Sequence, residues 1–231
     1  MINTDVVYQR VLALANKEQR GYITPQEFNL FANQAQMDIF EQYFYDLNQF
    51  LRIPGNSTVH ADAIDILQEK ISVFETTSEN IAYDGGADLP ENVYRLSTVR
   101  YNNSGKLTLI ENVTEKELRT LSLGPLTKPT KSRPVYVLKN NFIFFSPITP
   151  ASFDITYIRK PKTVKWSYIV VGEKPVVNIN ASDYQSFELH PSEETKLVMK
   201  ILQLAGIAIK DPNLYQIAGA EDNKNIQQEK Q

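Results

Sequence analysis

Residues Asn16 to Glu27, NKEQRGYITPQE, carry part of the spacing of an EF-hand calcium loop. Such a loop places oxygen ligands at positions 1, 3, 5, 7, 9 and 12, with glycine at 6 and a bidentate glutamate at 12. Counted from Asn16, the glycine falls on Gly21 and the glutamate on Glu27, with Ile23 at the hydrophobic eighth place. The ligand set is poor. Position 1 is Asn16 rather than aspartate, position 5 is the cation Arg20, and only Glu18 and Glu27 bring negative charge. A hard dication needs several anionic or carbonyl oxygens, so weak affinity is expected.

The same letters also read as the join between two helices. Gly21 suits the left-handed residue just past a helix end. Thr24-Pro25-Gln26-Glu27 is a capping box with proline at the first helical position, Thr24 accepting from the Glu27 amide and Glu27 reaching back to that of Thr24. This reading gives every conspicuous residue of the segment a structural role and is preferred. An EF-hand-like calcium module stays as the alternative.

Other chemistry is sparse. With no cysteine, thiol nucleophiles, disulfides and cysteine-based metal centres are excluded. His60 and His190 are far apart, and neither has a second histidine at helical spacing. No GxGxxG, P-loop or GxSxG pattern occurs. No cofactor and no enzymatic activity are expected. A hydrolase using Asp154, Asp183 and Glu188 as paired acid and base is a second alternative, although no spacing brings these carboxylates together. Two basic segments stand out: Lys128, Lys131 and Arg133, then Arg159, Lys160, Lys162 and Lys165 beside the lone Trp166. Basic residues next to an aromatic can mark nucleic-acid contact, and solvated loops explain such short runs as well.

The elements that would carry these residues follow from periodicity. A first helix is expected from Thr4, as N-cap, to about Gln19, with Val7, Val11, Leu14 and Ala15 as its apolar stripe. A second runs from Pro25 to about Leu51, roughly 40 Å at 1.5 Å per residue. Its aromatic residues cover more than one face, so Phe31, Phe40, Phe44 and Tyr45 are candidates either for the chain's own core or for contact with a neighbouring subunit. Ala61–Phe74 has mixed character, a short helix leading to a strand. Strands are expected at Val93–Tyr101 and Lys106–Ile110 (a hairpin), at Pro134–Leu138 and Phe142–Ser146 (a hairpin across Lys139-Asn140-Asn141), and at Ser152–Arg159. Thr114 and Glu117 form a second capping box, opening a short helix that ends near Gly124. His190-Pro191-Ser192-Glu193 opens a last long helix. Beyond it lie Ile217 and a polar tail whose one apolar residue is Ile226. The fold class expected is α+β: a helical hairpin over 1–54, a mainly antiparallel β region over 55–188, and a C-terminal helix and tail over 189–231, together one integrated domain.

The chain has 231 residues, enough for one large core or two small ones, and a net charge of -3. That balance argues against a general nucleic-acid coat. It sits in residues 1–51, where six acids meet three bases, leaving the rest neutral on balance. No apolar run approaches the ~20 residues that span a bilayer, and no secretory leader pattern opens the chain, so no membrane partner and assembly in a cytoplasm are expected.

Three segments carry a resemblance to a known family: GYITPQEFNLFANQAQMDIFEQYF (21–44), LPENVYRLSTVRYN (89–102), and FDITYIRKP (153–161) followed by HPSEETKLVMKILQLAGIAIK (190–210). In this order the chain resembles the head-to-tail connector (adaptor or ring) proteins of tailed bacteriophages, including those of crAss-like and other short-tailed phages. Residues 113–131 and 163–188 lie outside the resemblance. It implies a structural virion protein of the neck or tail, assembled in the bacterial host cytoplasm. Such a protein forms a ring of about twelve copies between portal and tail, through which DNA passes. The partners implied are further copies of itself, the portal, other tail or ring proteins, and passing DNA. The tail beyond Glu221 would then reach the portal. Phe31, Phe40, Phe44, Tyr45, Ile217 and Ile226 become candidate interface residues; Lys128, Lys131, Arg133, Arg159, Lys160 and Lys162 become candidate contacts to DNA or a neighbour.

Overall fold

The fold is described from a computed structural model covering residues 1–17, 22–52, 58–103, 106–148, 150–172 and 174–208. Among these residues the class is α+β, with five α-helices and nine strands. The chain divides into two compact units. A helical unit comprises Met1–Val73 and Pro161–Gln231, and a β unit comprises Phe74–Lys160. The division therefore falls at 73/74 and 160/161 rather than at 54/55 and 188/189. The β unit is an insertion between two halves of the helical one.

In the helical unit, α1 (Thr4–Lys17) is capped by Asn3, not Thr4: the Asn3 Oδ1 accepts from the Asp5 amide at 2.8 Å. Thr4 lies inside the helix and is fully buried, its hydroxyl donating to the Gln185 carbonyl at 3.1 Å. An asparagine one position upstream supplies the shorter reach to the first-turn amides, which frees the threonine for a tertiary bond.

The long helix α2 (Pro25–Arg52) buries Phe28, Ala32, Ala35, Ile39, Phe40, Tyr43 and Phe44, a wide stripe that lets it contact both α3 (Thr58–Ser72) and α5 (Glu194–Ala208). A helix central to its own bundle explains the aromatic load. Phe40 and Phe44 pack edge to face with centroids 5.1 Å apart, inside the unit. These two candidates for an intersubunit contact are thus core residues, because the partners for their rings come from the same chain. Phe31 is partly exposed and Tyr45 is exposed, and both remain on the surface. Ile217 and Ile226 lie outside the described residues.

In the β unit seven strands form one sheet in the order β1-β7-β3-β4-β5-β6-β2, with β1 at Glu75–Ala82, β2 at Ala87–Asp88, β3 at Val93–Asn103, β4 at Lys106–Asn112, β5 at Val135–Lys139, β6 at Phe142–Ser146 and β7 at Ser152–Arg159. The expected hairpins are β3–β4 and β5–β6. The second turns on Asn140 and Asn141, both with positive φ (47° and 68°), the geometry of a two-residue turn that matches strand twist. Alternation in β7 buries Phe153, Ile155 and Tyr157. These pack with Val99, Tyr101, Ile143 and the Tyr83–Phe145–Phe153 ring cluster. One pairing departs from the antiparallel pattern. β4 and β5 run parallel through Glu111↔Val135 and Asn112↔Tyr136, because α4 (Glu115–Leu123) carries the chain over between them. The helix started by the Thr114 box is therefore a crossover.

Candidate functional site

Both capping boxes have the expected geometry. The Glu27 Oε2 accepts from the Thr24 amide (2.9 Å) and hydroxyl (2.8 Å), and the Glu27 amide reaches the Thr24 Oγ1 at 3.3 Å. The hydrogen bonds from the Thr24 backbone and then from its hydroxyl hold the Glu27 carboxyl below the usual carboxylate range. Gly21 lies outside the described residues, as do three residues before it. The calcium reading needs Glu27 as a free bidentate ligand, and here the carboxylate already closes a helix start. Thr114 and Glu117 repeat the arrangement, with bonds of 2.8 and 3.3 Å. Replacing Thr24 by alanine is expected to cost about 1 kcal/mol in urea denaturation. A carboxyl held low in the folded state stabilises above its unfolded value and loses that contribution as pH falls through its folded value. The difference between wild type and Thr24→Ala should thus shrink as pH falls below the ordinary glutamate value of 4.5.

The candidate carboxylates are dispersed and engaged. Asp154, in the β unit, accepts from the Asn80 amide at 2.9 Å and steadies the bulge where β1 slips register against β7. Asp183 accepts from the Ser167 hydroxyl (2.6 Å) and lies 2.5 Å from the Lys165 ammonium, which with the hydroxyl holds its carboxyl below the usual range. Glu188, buried, accepts from the Lys162 amide at 2.8 Å. Among the described residues there is no group of three or more His, Asp or Glu side chains placed to hold a metal.

The basic candidates separate by unit. Lys128, Lys131 and Arg133 are exposed around a tight turn closed by Thr130 and Arg133, whose backbones bond each other in both directions. The Arg133 guanidinium lies 3.5 Å from Glu111. Arg159 stands over the Phe74 ring at 5.8 Å, Lys160 is exposed, and Lys162, in the helical unit, has its Nζ 3.9 Å from Glu188. Trp166 is not a stacking platform for a base. It is 1% exposed, its ring packs on Tyr8 (4.3 Å), and its Nε1–H donates to Asp5 at 2.9 Å. Burial pushes the Tyr8 phenol well above its ordinary range, so it stays a donor to the Ile23 carbonyl at 3.2 Å.

The largest feature missed by sequence reasoning lies in residues 162–188. The extended segment from Lys162 to Trp166 runs along α2 and is held by a row of carboxamides. Asn29 accepts from the Trp166 amide (2.8 Å) and donates to its carbonyl (3.3 Å); Asn33 does the same for Val164 (2.7 and 2.9 Å). Gln36 donates to the Lys162 carbonyl (2.9 Å) and accepts from the Glu188 amide (3.1 Å). Four helical residues advance about 6 Å and two strand residues about 6.6 Å, so positions 33 and 29 meet 164 and 166 in step. The signal was available as carboxamides at 29, 33 and 36 on one side of an apolar helix.

Beyond Trp166 the chain forms a hairpin of β8 (Tyr168–Val171) and β9 (Lys174–Val177), turning at Gly172 with φ 55°. Its base is fixed by the Asn178 amide donating to the Ser167 carbonyl at 2.8 Å and by Tyr168 stacked on Trp166. In the β unit, Leu107 and Leu109 stand exposed on one face of β4, and Leu123 and Leu126 are exposed at and beyond the end of α4. A groove of about 530 Å³ lies beside α4, lined by residues that include Glu111, Thr114, Glu117 and Leu121. No described helix is long and apolar enough to cross a membrane. A scan against protein-family models finds no matching family, and a search of curated proteins finds no match to the chain.

Proposed function

We propose that the chain is a non-catalytic structural subunit of a phage virion neck, a ring protein set between portal and tail with DNA passing through its centre. The observation that carries this reading is the exposure of aliphatic side chains on both units: Leu107, Leu109, Leu123 and Leu126 on the β unit, and the β8–β9 hairpin on the helical unit. A ring closes through head-to-tail contacts and needs two different surfaces on each subunit. Large aliphatic side chains left in water are ordinary one at a time and point to association when they cluster. The resemblance of residues 21–44, 89–102 and 153–161 to connector proteins supports the same reading. So does the structural engagement of Asp154, Asp183, Glu188 and Glu27, described above.

On this reading Phe31, Tyr45 and Ile217 are candidates for contact with a neighbour, and Ile226 belongs to the tail beyond Glu221 that would reach the portal. Lys128, Lys131 and Arg133 offer exposed charge for transient, sequence-independent contact with passing DNA. The particle would be assembled in the bacterial host cytoplasm with other tail or ring proteins. Purified protein, alone and mixed with its portal, should give closed rings in negative-stain images and a mass of several chains by light scattering. A chain that stays monomeric and ignores the portal would overturn the proposal.

A further inference from the structure

The geometry points to a head-to-tail contact in which the turn after α4 of one copy docks on the outer face of α3 of the next. The inference rests on the ring reading above and names the two surfaces that a ring subunit needs. The first is a basic, aliphatic tip. Residues 118–133 carry four cations, Arg119, Lys128, Lys131 and Arg133, and no acid. Within them Leu123 and Leu126 are 87% and 98% exposed, more than any other large apolar side chain among the described residues. The turn that presents them is held from within. The Lys128 amide donates to the Gly124 carbonyl at 3.0 Å, and the Thr127 hydroxyl donates to the Leu121 carbonyl at 3.0 Å. Anchors already fixed in place cost less to order on association.

The second surface is acidic. At 100° per residue, Asp62, Asp65, Ile66 and Glu69 of α3, with Val73 just past its end, fall within an arc of about 100°. All five are exposed, Ile66 by 52% and Val73 by 38%. Leu67 and Ile71, on the opposite side of the helix, are buried. Lys70, the one lysine of α3, is turned to Glu193 at 2.6 Å and does not neutralise the stripe. Tip and stripe therefore match in both respects: cations face carboxylates, and two leucines face Ile66 and Val73. The other exposed aliphatic surface of the helical unit fits less well, because strands β8 and β9 bring only Lys174 as charge, of the same sign as the tip. A DNA backbone would accept the lysines and offer nothing to Leu123 and Leu126, since such binding is electrostatic. Tip and stripe are different surfaces, so each contact leaves one of each free and assembly continues until the ring closes.

The test uses the full chain. Wild type should exceed the mass of one chain by light scattering at tens of micromolar. Lys128→Glu/Lys131→Glu and Asp65→Lys/Glu69→Lys, each alone, should weaken association about 100-fold with the thermal transition unchanged. An equimolar mixture of the two should associate again, since altered tips then meet altered stripes and unaltered tips meet unaltered stripes. Because the chain has no cysteine, Leu126→Cys and Ile66→Cys each introduce a single thiol. Oxidised together with copper phenanthroline, they should give a mixed disulfide about tenfold in excess of either variant joined to itself, set against the ~2:1:1 of random pairing. That readout decides the matter if the charge variants do not fold. A mass unmoved by either charge pair, or disulfides in random proportions, would overturn the contact. So would a tip pair that loses only retention on DNA, which would give the tip to nucleic acid. Closed rings on the portal from both charge pairs would sink this contact and leave the neck reading standing. Association through tip and stripe without portal binding would do the reverse. A wild type of one chain at about 100 micromolar, alone and with the portal, would overturn both.

Discussion

Replacing Lys70 by methionine is expected to destabilise the helical unit by about 3–5 kcal/mol. The Lys70 Nζ lies 2.6 Å from the Glu193 Oε1, with the two side chains 14% and 3% exposed, and it also sits 5.8 Å over the Tyr43 ring. Methionine fills nearly the same volume, so packing on Tyr43 survives and the loss is electrostatic. The Glu193 carboxylate would be stranded in a site that water barely reaches. Most of the penalty comes from that stranded charge rather than from the pair's net strength. The double variant Lys70→Met/Glu193→Leu removes both charges and should return to within about 1 kcal/mol of wild type. The lone tryptophan makes the measurement specific: Trp166 is buried in the helical unit, so its fluorescence in urea reports that unit's transition. A loss below about 1 kcal/mol in the single variant would mean that water or another cation reaches Glu193.

Periodicity and capping made the regular elements legible. Thr24-Pro-Gln-Glu27 and Thr114-Glu-Lys-Glu117 are local devices whose hydrogen bonds close within four residues, and both have the expected form. The alternating run from Ser152 and the Asn140-Asn141 turn are equally local, and both are where the pattern puts them. What was not legible depends on partners far away in sequence. Phe40 and Phe44 carry an amphipathic pattern wider than one stripe, and only the positions of α3 and α5 decide that the second stripe is filled from within. Trp166 sits among lysines in the chain and among Tyr8, Tyr168 and Asp5 in the fold. The parallel β4–β5 pair could not be told from a meander by strand patterns alone, although a capped helix between two strands is the usual sign of a crossover.

The β8–β9 hairpin was the more avoidable omission. Tyr168-Ile-Val-Val171 and Pro175-Val-Val177 flank Gly172-Glu173-Lys174, a short glycine-containing turn signal between aliphatic runs. Its exposed face does not alternate with polar residues, so the usual rule for a half-buried strand fails there. Such a failure of the local rule, at an element with a rigid base, is where a functional surface is expected.

The double variant Asn29→Ala/Asn33→Ala is expected to cost about 3–4 kcal/mol, second to Lys70→Met in effect. Both truncations keep α2 helical, since alanine is the best helix former, so the loss falls on the segment that α2 holds. The amides and carbonyls of Val164 and Trp166, four groups in all, lose their side-chain partners next to the buried Val164 and Trp166 side chains. Each stranded group costs about 1–3 kcal/mol when water cannot replace the partner, and partial access for water brings the sum toward the lower end. Gln34→Ala, on the exposed side of the same helix where the side chain only meets Asp38, should stay within about 0.5 kcal/mol of wild type. Asn33→Asp separates hydrogen bonding from packing. The carboxylate still accepts from the Val164 amide, but it faces the Val164 carbonyl with nothing to donate. The variant should therefore lose stability at neutral pH and regain part of it in acid, where the protonated carboxyl donates once more. An Asn33→Asp variant as stable as wild type at neutral pH would mean that the carboxamide row does not hold the segment, and that Trp166 packing alone keeps residues 162–166 against α2.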